Sequence, residues 1–464
     1  MTISRVLVAN RGEIALRVIR ACEGLGIETV LAASEADLDS LPARAAGRTV
    51  CIGPAKSSES YLNVGAIVTA ALGTGADAVH PGYGFLAESP VLAETCEQAG
   101  IAFVGPTAAH LRQMGNKIEA RRLARAAGVP TLPGSEPVAG AREARRLAQR
   151  MGYPLMLKAA AGGGGRGMKV VREPGALAGA VEAAAAEARA SFGDPTLYLE
   201  RYLPNARHVE VQVLGDGEGG VVHVGERDCS LQRRHQKLIE EAPAPGLTAE
   251  LRDELRSAAV ALATAISYRS AGTIELLVDA ATGEFFFLEM NTRIQVEHPV
   301  SELVSGIDLV EAQLAAAARE SLELAQEDVV LRGHAIECRV NAEVPEEGFR
   351  PNAGRIERWD PPEGPNIRLD THCYAGYEIP VHYDSLLAKL VVYGRNRDQA
   401  IERTNRALGR FRIEGVSTTL PFLRFAVGSR AFAEGRVSTE LVDEELAPAF
   451  AELGSRPSSP RAPV

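Results

Sequence analysis

The sequence predicts a multidomain protein of mixed α/β and α+β class, on three observations. Over the first hundred residues, short β-like runs at 5–9, 28–33, 76–80 and 101–104 alternate with helical stretches at 12–25 and 63–73, the layout of a parallel α/β domain. Between 155 and 201 a strand, a glycine-rich loop, a strand at 168–171, an alanine-rich helix at 176–190 and a strand at 197–201 make a compact α+β unit that resembles a lid. From 207 onward strands and hairpins at 208–214, 220–227, 272–278 and 284–290 fit a mixed or antiparallel sheet better than βαβ units.

The size supports this division: 464 residues correspond to two to four domains at ~100 to 200 residues each. With 46% hydrophobic and 24% charged residues the chain reads as soluble and globular. Its net charge of −10 argues against nucleic acid or an anionic membrane as the main partner, so an anionic ligand must meet local positive groups. Six cysteines show no zinc-type spacing and are expected to be reduced and mostly buried. No secretory signal or membrane span is legible, and a cytoplasmic location is expected.

Taken in order, the strand at 5–9 leads into a helix whose apolar positions Ile14, Val18, Ile19, Cys22 and Leu25 share one face, with Asn10 placed to cap it. The intervening turn lacks G-x-G-x-x-G, so NAD binding is not expected there. His80-Pro81-Gly82-Tyr83-Gly84-Phe85 follows a parallel strand, where α/β sheets place ligands. A helical patch at 111–127 gives way to the Pro- and Gly-rich 131–140, a domain boundary. Beyond 332 come strands at 333–341 and 385–392, helices around 398–408 and 437–446, and a polar tail.

The glycine run 162–167, with Lys158 on the entering strand, has the makings of a phosphate clamp, because backbone N–H groups free of Cβ atoms can wrap phosphate oxygens. A flexible linker is the alternative. A nucleoside triphosphate would bring Mg²⁺. A hairpin centred near Thr282 would set Glu275 opposite Glu289, and two like charges facing across a sheet favour a bound cation. Exposed glutamates separated by water are the alternative. The charged run 226–237 contains Gln232, His235 and Lys237 and reads either as a solvated loop or as a functional loop held by the Pro-rich turn that follows. Between 289 and 297 Glu289, Asn291, Arg293, Gln295 and Glu297 alternate with apolar or neutral residues, as a half-buried strand would, but their chemistry points to a reaction centre.

With these residues assembled the chain strongly resembles biotin carboxylase, the ATP-grasp subunit or domain of biotin-dependent carboxylases such as acetyl-CoA carboxylase. The carriers of the likeness are VANRGEIALR at 8–17, HPGYGF at 80–85, the glycine loop, RDCS at 227–230, QRRHQK at 232–237, EMNTRIQVEHP at 289–299 and HAIECR at 334–339. The resemblance implies an N-terminal parallel α/β domain (1–115), an ATP-grasp core (116–330) with a small α+β lid (131–203), a C-terminal mixed-sheet domain (331–450) and a disordered tail (451–464). It implies that ATP phosphorylates bicarbonate to carboxyphosphate, which carboxylates biotin at N1′.

By that pattern Lys117 and Lys158 hold phosphates, Gly164 and Gly165 cover them, Glu200, Arg201, Tyr202, Leu203 and His208 line the adenine and ribose region, and Gln232 and His235 flank the nucleotide. Glu275, Glu289 and Asn291 would hold Mg²⁺ or Mn²⁺. Lys237, Arg293, Gln295 and the Val296 backbone would bind bicarbonate, Glu297 would be the general base, Arg339 would stabilise the biotin enolate, and Tyr83 would lie near the biotin ring. Departures at Ala161, Arg201, 351–354 and 413–419 remove no proposed catalytic group.

The only Met-Lys pair, Met168-Lys169, belongs to a strand, so a separate biotin carboxyl carrier protein and a carboxyltransferase are implied, with a homodimer as the family habit. The expected assembly is acetyl-CoA carboxylase, although the sequence does not specify the final acceptor. Another bicarbonate-phosphorylating ATP-grasp ligase, or a silent nucleotide sensor, are the competing readings.

Overall fold

The computed structural model describes residues 2–138, 140–160, 168–319 and 324–455. The glycine run with Gly164 and Gly165, and the tail from 456, lie outside the described residues.

The chain opens with β1 (Arg5–Val8), α1 (Gly12–Gly24), β2 (Glu28–Ala33), α2 (Leu41–Ala45), β3 (Arg48–Cys51), α3 (Val64–Thr74), β4 (Ala78–His80), α4 (Pro90–Gln98) and β5 (Ala102–Phe103). Its five strands pair in parallel in the order β3-β2-β1-β4-β5. Alternating Val6 and Val8 face Ile14, Val18, Ile19 and Cys22 of α1, whereas Leu25, placed on the same face by periodicity, lies past the helix end and is exposed. Asn10 does not cap α1. Arg11 occupies the N-cap without a side-chain bond, and Asn10 instead donates to the carbonyls of Pro81 and Tyr83 at 2.6 and 2.7 Å. With its amide nitrogen held by these two carbonyls, Asn10 turns its Oδ1 to the Arg11 N–H at 2.8 Å instead of to the first turn of α1.

The helical patch at 111–127 is two helices, α5 (Ala108–Gly115) and α6 (Lys117–Ala126), because Asn116 accepts from the N–H groups of Ile118 and Glu119 and so starts a new helix. The lid comprises α7 (Ala141–Met151), β6 (Leu155–Ala159), β7 (Met168–Val171), α8 (Leu177–Phe192) and β8 (Leu197–Arg201), with strand order β7-β6-β8. Ala144, Ala148, Ala184 and Ala188 let its helices approach Leu155, Leu157, Leu197 and Leu199 closely.

The rest is built on β9 (Arg207–Asp216), β10 (Val221–Arg233), β11 (Gln236–Ala242), α9 (Ala249–Ala265), β12 (Arg269–Val278), β13 (Phe285–Asn291), α10 (His298–Ser305) and α11 (Leu309–Ala318). Then follow β14 (His334–Asn341), β15 (Glu343–Val344), β16 (Arg350–Pro351), β17 (Arg358–Asp360), β18 (Ile367–Thr371), β19 (Leu386–Gly394), α12 (Arg397–Arg410), β20 (Arg412–Glu414), α13 (Leu420–Val427), α14 (Arg430–Ala433) and α15 (Ala447–Ser455). One antiparallel sheet, β13-β12-β9-β10-β11-β14-β19-β18, runs through both halves. The sequence division near 330 therefore falls between the hydrogen-bonded partners β11 and β14.

The charged run 226–237 is not a loop. It forms the β10–β11 hairpin, turning at Arg234 and His235 with φ of 47° and 64°; Arg227, Asp228 and Lys237 pair with β9, Glu226 pairs with arginines of α9, and Arg234 at the turn is exposed. The helix expected at 437–446 is instead a π-helical turn, Val442–Leu446, running into α15. Order thus persists through 451–455, where a tail was expected, because Phe450 packs on Phe422 with ring centroids 5.5 Å apart. Five cysteines are buried and free; Cys51 is exposed and free. Among the described residues no helix is long and apolar enough to cross a membrane.

Candidate active site

Polar-apolar alternation along β9, β12 and β13 puts a row of carboxylates on one face of the sheet. Glu210 pairs with Glu275 and Glu275 with Glu289, so the opposition expected near Thr282 is extended by a third acid. Such a row is unfavourable without cations. Lys237, reaching over from β11, donates to Glu210 at 2.6 Å and to Glu275 at 3.0 Å, His208 Nε2 lies 3.0 Å from Glu275, and Lys117 lies 3.1 Å from Glu289. Burial alone would lower the His208 pKa; Glu275 outweighs it and raises it. Behind the row Arg227, fully buried, donates to Glu210 at 2.6 Å, Gln212 at 2.8 Å and Ser301 at 2.9 Å.

The strand ends at Asn291, and residues 292–297 turn into α10. Arg293 folds back on Asn291 Oδ1 at 3.0 Å and Gln295 Oε1 at 3.2 Å, and also reaches Glu88 at 3.1 Å. Asn291 and Gln295 in turn donate to Glu275 at 2.8 and 3.1 Å. The alternation from 289 to 297 therefore spans two structures, a strand end and a turn. Glu297, fully buried, accepts from Lys237 and, at 2.9 Å, from Arg339 of β14, which also donates to Glu240 at 2.5 Å. Burial would raise the Glu297 pKa, but Lys237, Arg339 and Arg227 together hold it well below the usual carboxylate range. Burial pushes Glu240 up to about 7 against the pull of Arg339.

On the lid side, buried Lys158 of β6 pairs with Glu200 of β8, which Arg121 also approaches at 3.2 Å. Arg201 is exposed, Tyr202 donates to Glu440, and Leu203 is buried. Gln232 contacts His208 at 3.5 Å, and His235 is exposed at the hairpin turn. Tyr83 donates to Glu13, and burial and Glu13 raise its pKa while Arg339 opposes the rise. Glu210, Arg227 and Glu240 also hold this centre together, although sequence reasoning does not reach them as site residues. The pattern His208, Glu210, Gln212 among valines is the signal for Glu210; Glu240 carries none beyond its place before a turn.

Glu275, Glu289 and Asn291 offer only oxygen donors suited to a hard divalent cation, and the facing carboxylates fit one. A mixed set, His208, Glu210 and Glu275, also gathers its ligand atoms within 4.8 Å.

Three family models match the chain: "Biotin carboxylase, N-terminal domain" over 2–111, "Carbamoyl-phosphate synthase L chain, ATP binding domain" over 116–325 and "Biotin carboxylase C-terminal domain" over 337–444. The biotin carboxylase of Nostoc sp. is 51% identical over 445 residues, 96% of this chain and 99% of that one. The chain belongs to the biotin carboxylase family. It is an ATP-dependent ligase with an ATP-grasp core. Within the family, a pyruvate carboxylase component of Methanothermobacter thermautotrophicus is 50% identical over 442 residues, 95% of this chain and 90% of that one. The biotin carboxylase domain dimer of Hydrogenobacter thermophilus 2-oxoglutarate carboxylase, solved with MgADP, ADP and bicarbonate, is similar with a TM-score of 0.93 at 45% identity, covering 97% of this chain and 99% of that one.

Proposed function

We propose that this biotin carboxylase catalyses the first half-reaction of acetyl-CoA carboxylase, as a cytoplasmic homodimer serving a separate biotin carboxyl carrier protein and a carboxyltransferase. The observation that carries the chemistry is Glu297, buried and ionised between Lys237 and Arg339, one turn from Arg293 and Gln295.

Arg293, Gln295, the Val296 backbone and Lys237 hold bicarbonate, a planar oxyanion suited to a guanidinium fork. Glu297 removes its proton as a bicarbonate oxygen attacks the γ-phosphorus of ATP, giving carboxyphosphate and ADP. Lys117 and Lys158, which face Glu289 and Glu200, exchange those carboxylates for nucleotide phosphates. Mg²⁺ or Mn²⁺, held by Glu275, Glu289 and Asn291, supplies neutralising charge at the phosphates. Gly164 and Gly165 cover them, while Glu200, Arg201, Tyr202, Leu203, His208, Gln232 and His235 enclose the nucleoside, and closure of the lid excludes water. When carboxyphosphate breaks down to CO₂ and phosphate, the phosphate takes the biotin N1′ proton and N1′ bonds to CO₂. Arg339 stabilises the enolate oxygen, and Tyr83 flanks the ring.

ATP hydrolysis by the purified protein should require Mg²⁺ and bicarbonate and rise with free biotin. A bicarbonate-independent ATPase, or no biotin stimulation, contradicts the reading. Carboxyl transfer from a reconstituted carrier to acetyl-CoA, rather than to pyruvate or 2-oxoglutarate, tests the acceptor.

A further inference from the structure

Lys389 of β19 is fully buried, yet it lies outside the set of groups assigned to substrates. Its neighbours across the sheet are Arg339 on β14 and Asp370 on β18, so it stands in a three-strand row beginning at the guanidinium that touches Glu297. The ammonium donates to the carbonyl of Val296 at 3.0 Å, lies 3.0 Å from Glu13 Oε2 of α1, and lies 3.7 Å from Asp370. It also sits 5.9 Å from the centroid of the Tyr83 ring. Burial opposes its charge, but Glu13 and Asp370 outweigh burial and keep its pKa above the ordinary value.

The Val296 carbonyl and the Glu297 N–H share one planar peptide, so fixing that oxygen fixes where the Glu297 side chain starts. The carbonyl belongs to a turn and to no strand or helix ladder. At its other end the pair is equally committed: Glu13 accepts the Tyr83 phenol. An apolar side chain of similar volume would fill the position without stripping water from an ammonium, so packing alone does not account for a lysine.

We propose, resting on the function above, that Lys389 and Glu13 form a buried positioning pair. Lys389 aims the peptide that bears the general base, and Glu13 aims the Tyr83 phenol. One ion pair between the N-terminal domain and the C-terminal strands thereby sets the bicarbonate side and the biotin side together. Neither residue touches reacting atoms.

The test is steady-state kinetics on full-length wild type, Lys389→Met, Glu13→Gln and the double variant, with KM read separately for ATP, bicarbonate and biotin, and thermal melts alongside. Lys389→Met should lower the bicarbonate-dependent kcat by about 10- to 100-fold through the misplaced base and raise the bicarbonate KM through the Val296 backbone, with the ATP KM little changed. Glu13→Gln should act chiefly on the biotin KM. The double variant leaves neither member of the pair buried alone, while Asp370 keeps Arg368 and Glu337 loses a neighbouring cation, so the melts select folded protein; it should keep both defects. A folded double variant with wild-type KM values for bicarbonate and biotin, or one whose ATP KM rises in parallel, overturns the pair alone. A wild type whose ATPase ignores bicarbonate overturns the functional reading and the pair with it.

Discussion

In the proposed role of general base, Glu297 is kept ionised by Lys237 and Arg339, the same charges that weaken it as a proton acceptor until substrate draws them away. Isosteric Glu297→Gln removes the proton acceptor while keeping the shape, and bicarbonate-dependent ATP turnover should fall by roughly 10²- to 10⁴-fold; Arg339→Ala should abolish most biotin stimulation. Because the folded pKa lies below the unfolded value of about 4.3, Glu297 stabilises the fold above that pH, and the contribution vanishes as pH falls through the folded value. The melting-temperature gap between wild type and Glu297→Gln should therefore be constant from neutral pH to about pH 5 and shrink in stronger acid. A gap independent of pH would contradict the depressed pKa. Glu289, Asn291, Arg293, Gln295 and Glu297 stand out in the sequence because their chemistry is improbable on a wet strand face, and Glu275 because a hairpin sets it opposite Glu289. Glu240 could not, since its role depends on Arg339 arriving from a strand about a hundred residues away.

At the scale of elements, the hairpin β10–β11 and the loop 80–85 show where sequence patterns mislead. A charged run looks solvated until its partner strands are known; here the partner strand β9 brings Glu210 to both Arg227 of β10 and Lys237 of β11. Asn10 looks like a helix cap because its neighbours in the chain are a strand and a helix, whereas its neighbours in space are loop carbonyls. Gly82, at φ +60°, sits against that same side chain: an added Cβ would lie 2.9 Å from Asn10 Nδ2 and 3.1 Å from Ile14 Cγ1. Gly82→Ala should cost roughly 1–3 kcal/mol in chemical denaturation and weaken biotin stimulation more than basal ATPase, since the loop carries Tyr83. Equal loss of both activities would show that the loop serves the fold only.

Across the whole molecule, Glu302 of α10 joins the two ends of the chain. It accepts from Arg17 of α1 at 2.9 Å and from Arg368 of β18 at 2.6 Å, and the two arginines are further held by Asp308 and Asp370. Glu302→Ala takes one of two carboxylate partners from each guanidinium and should cost roughly 1–3 kcal/mol in urea melts, since Asp308 and Asp370 remain. The exposed Glu402, paired with Arg406, is the control; Glu402→Ala should cost no more than about 0.5 kcal/mol. The parallel N-terminal domain and the lid were legible because each closes its strands locally. The antiparallel pairing from 207 onward was legible too, but its continuation as one sheet through both halves was not, because β11 and β14 pair across almost a hundred residues of intervening chain.

That pairing gives the chain a timetable during synthesis. β11 is complete at Ala242, and β14 does not begin until His334. At ribosomal speeds the free edge of β11 waits on the order of 5 to 20 s for its partner, open to pairing with other nascent chains. Along that edge stand Lys237, Glu240 and Glu241, charges that discourage a foreign strand from docking. Charges that later pair inside the finished enzyme thus line this seam while it is being made.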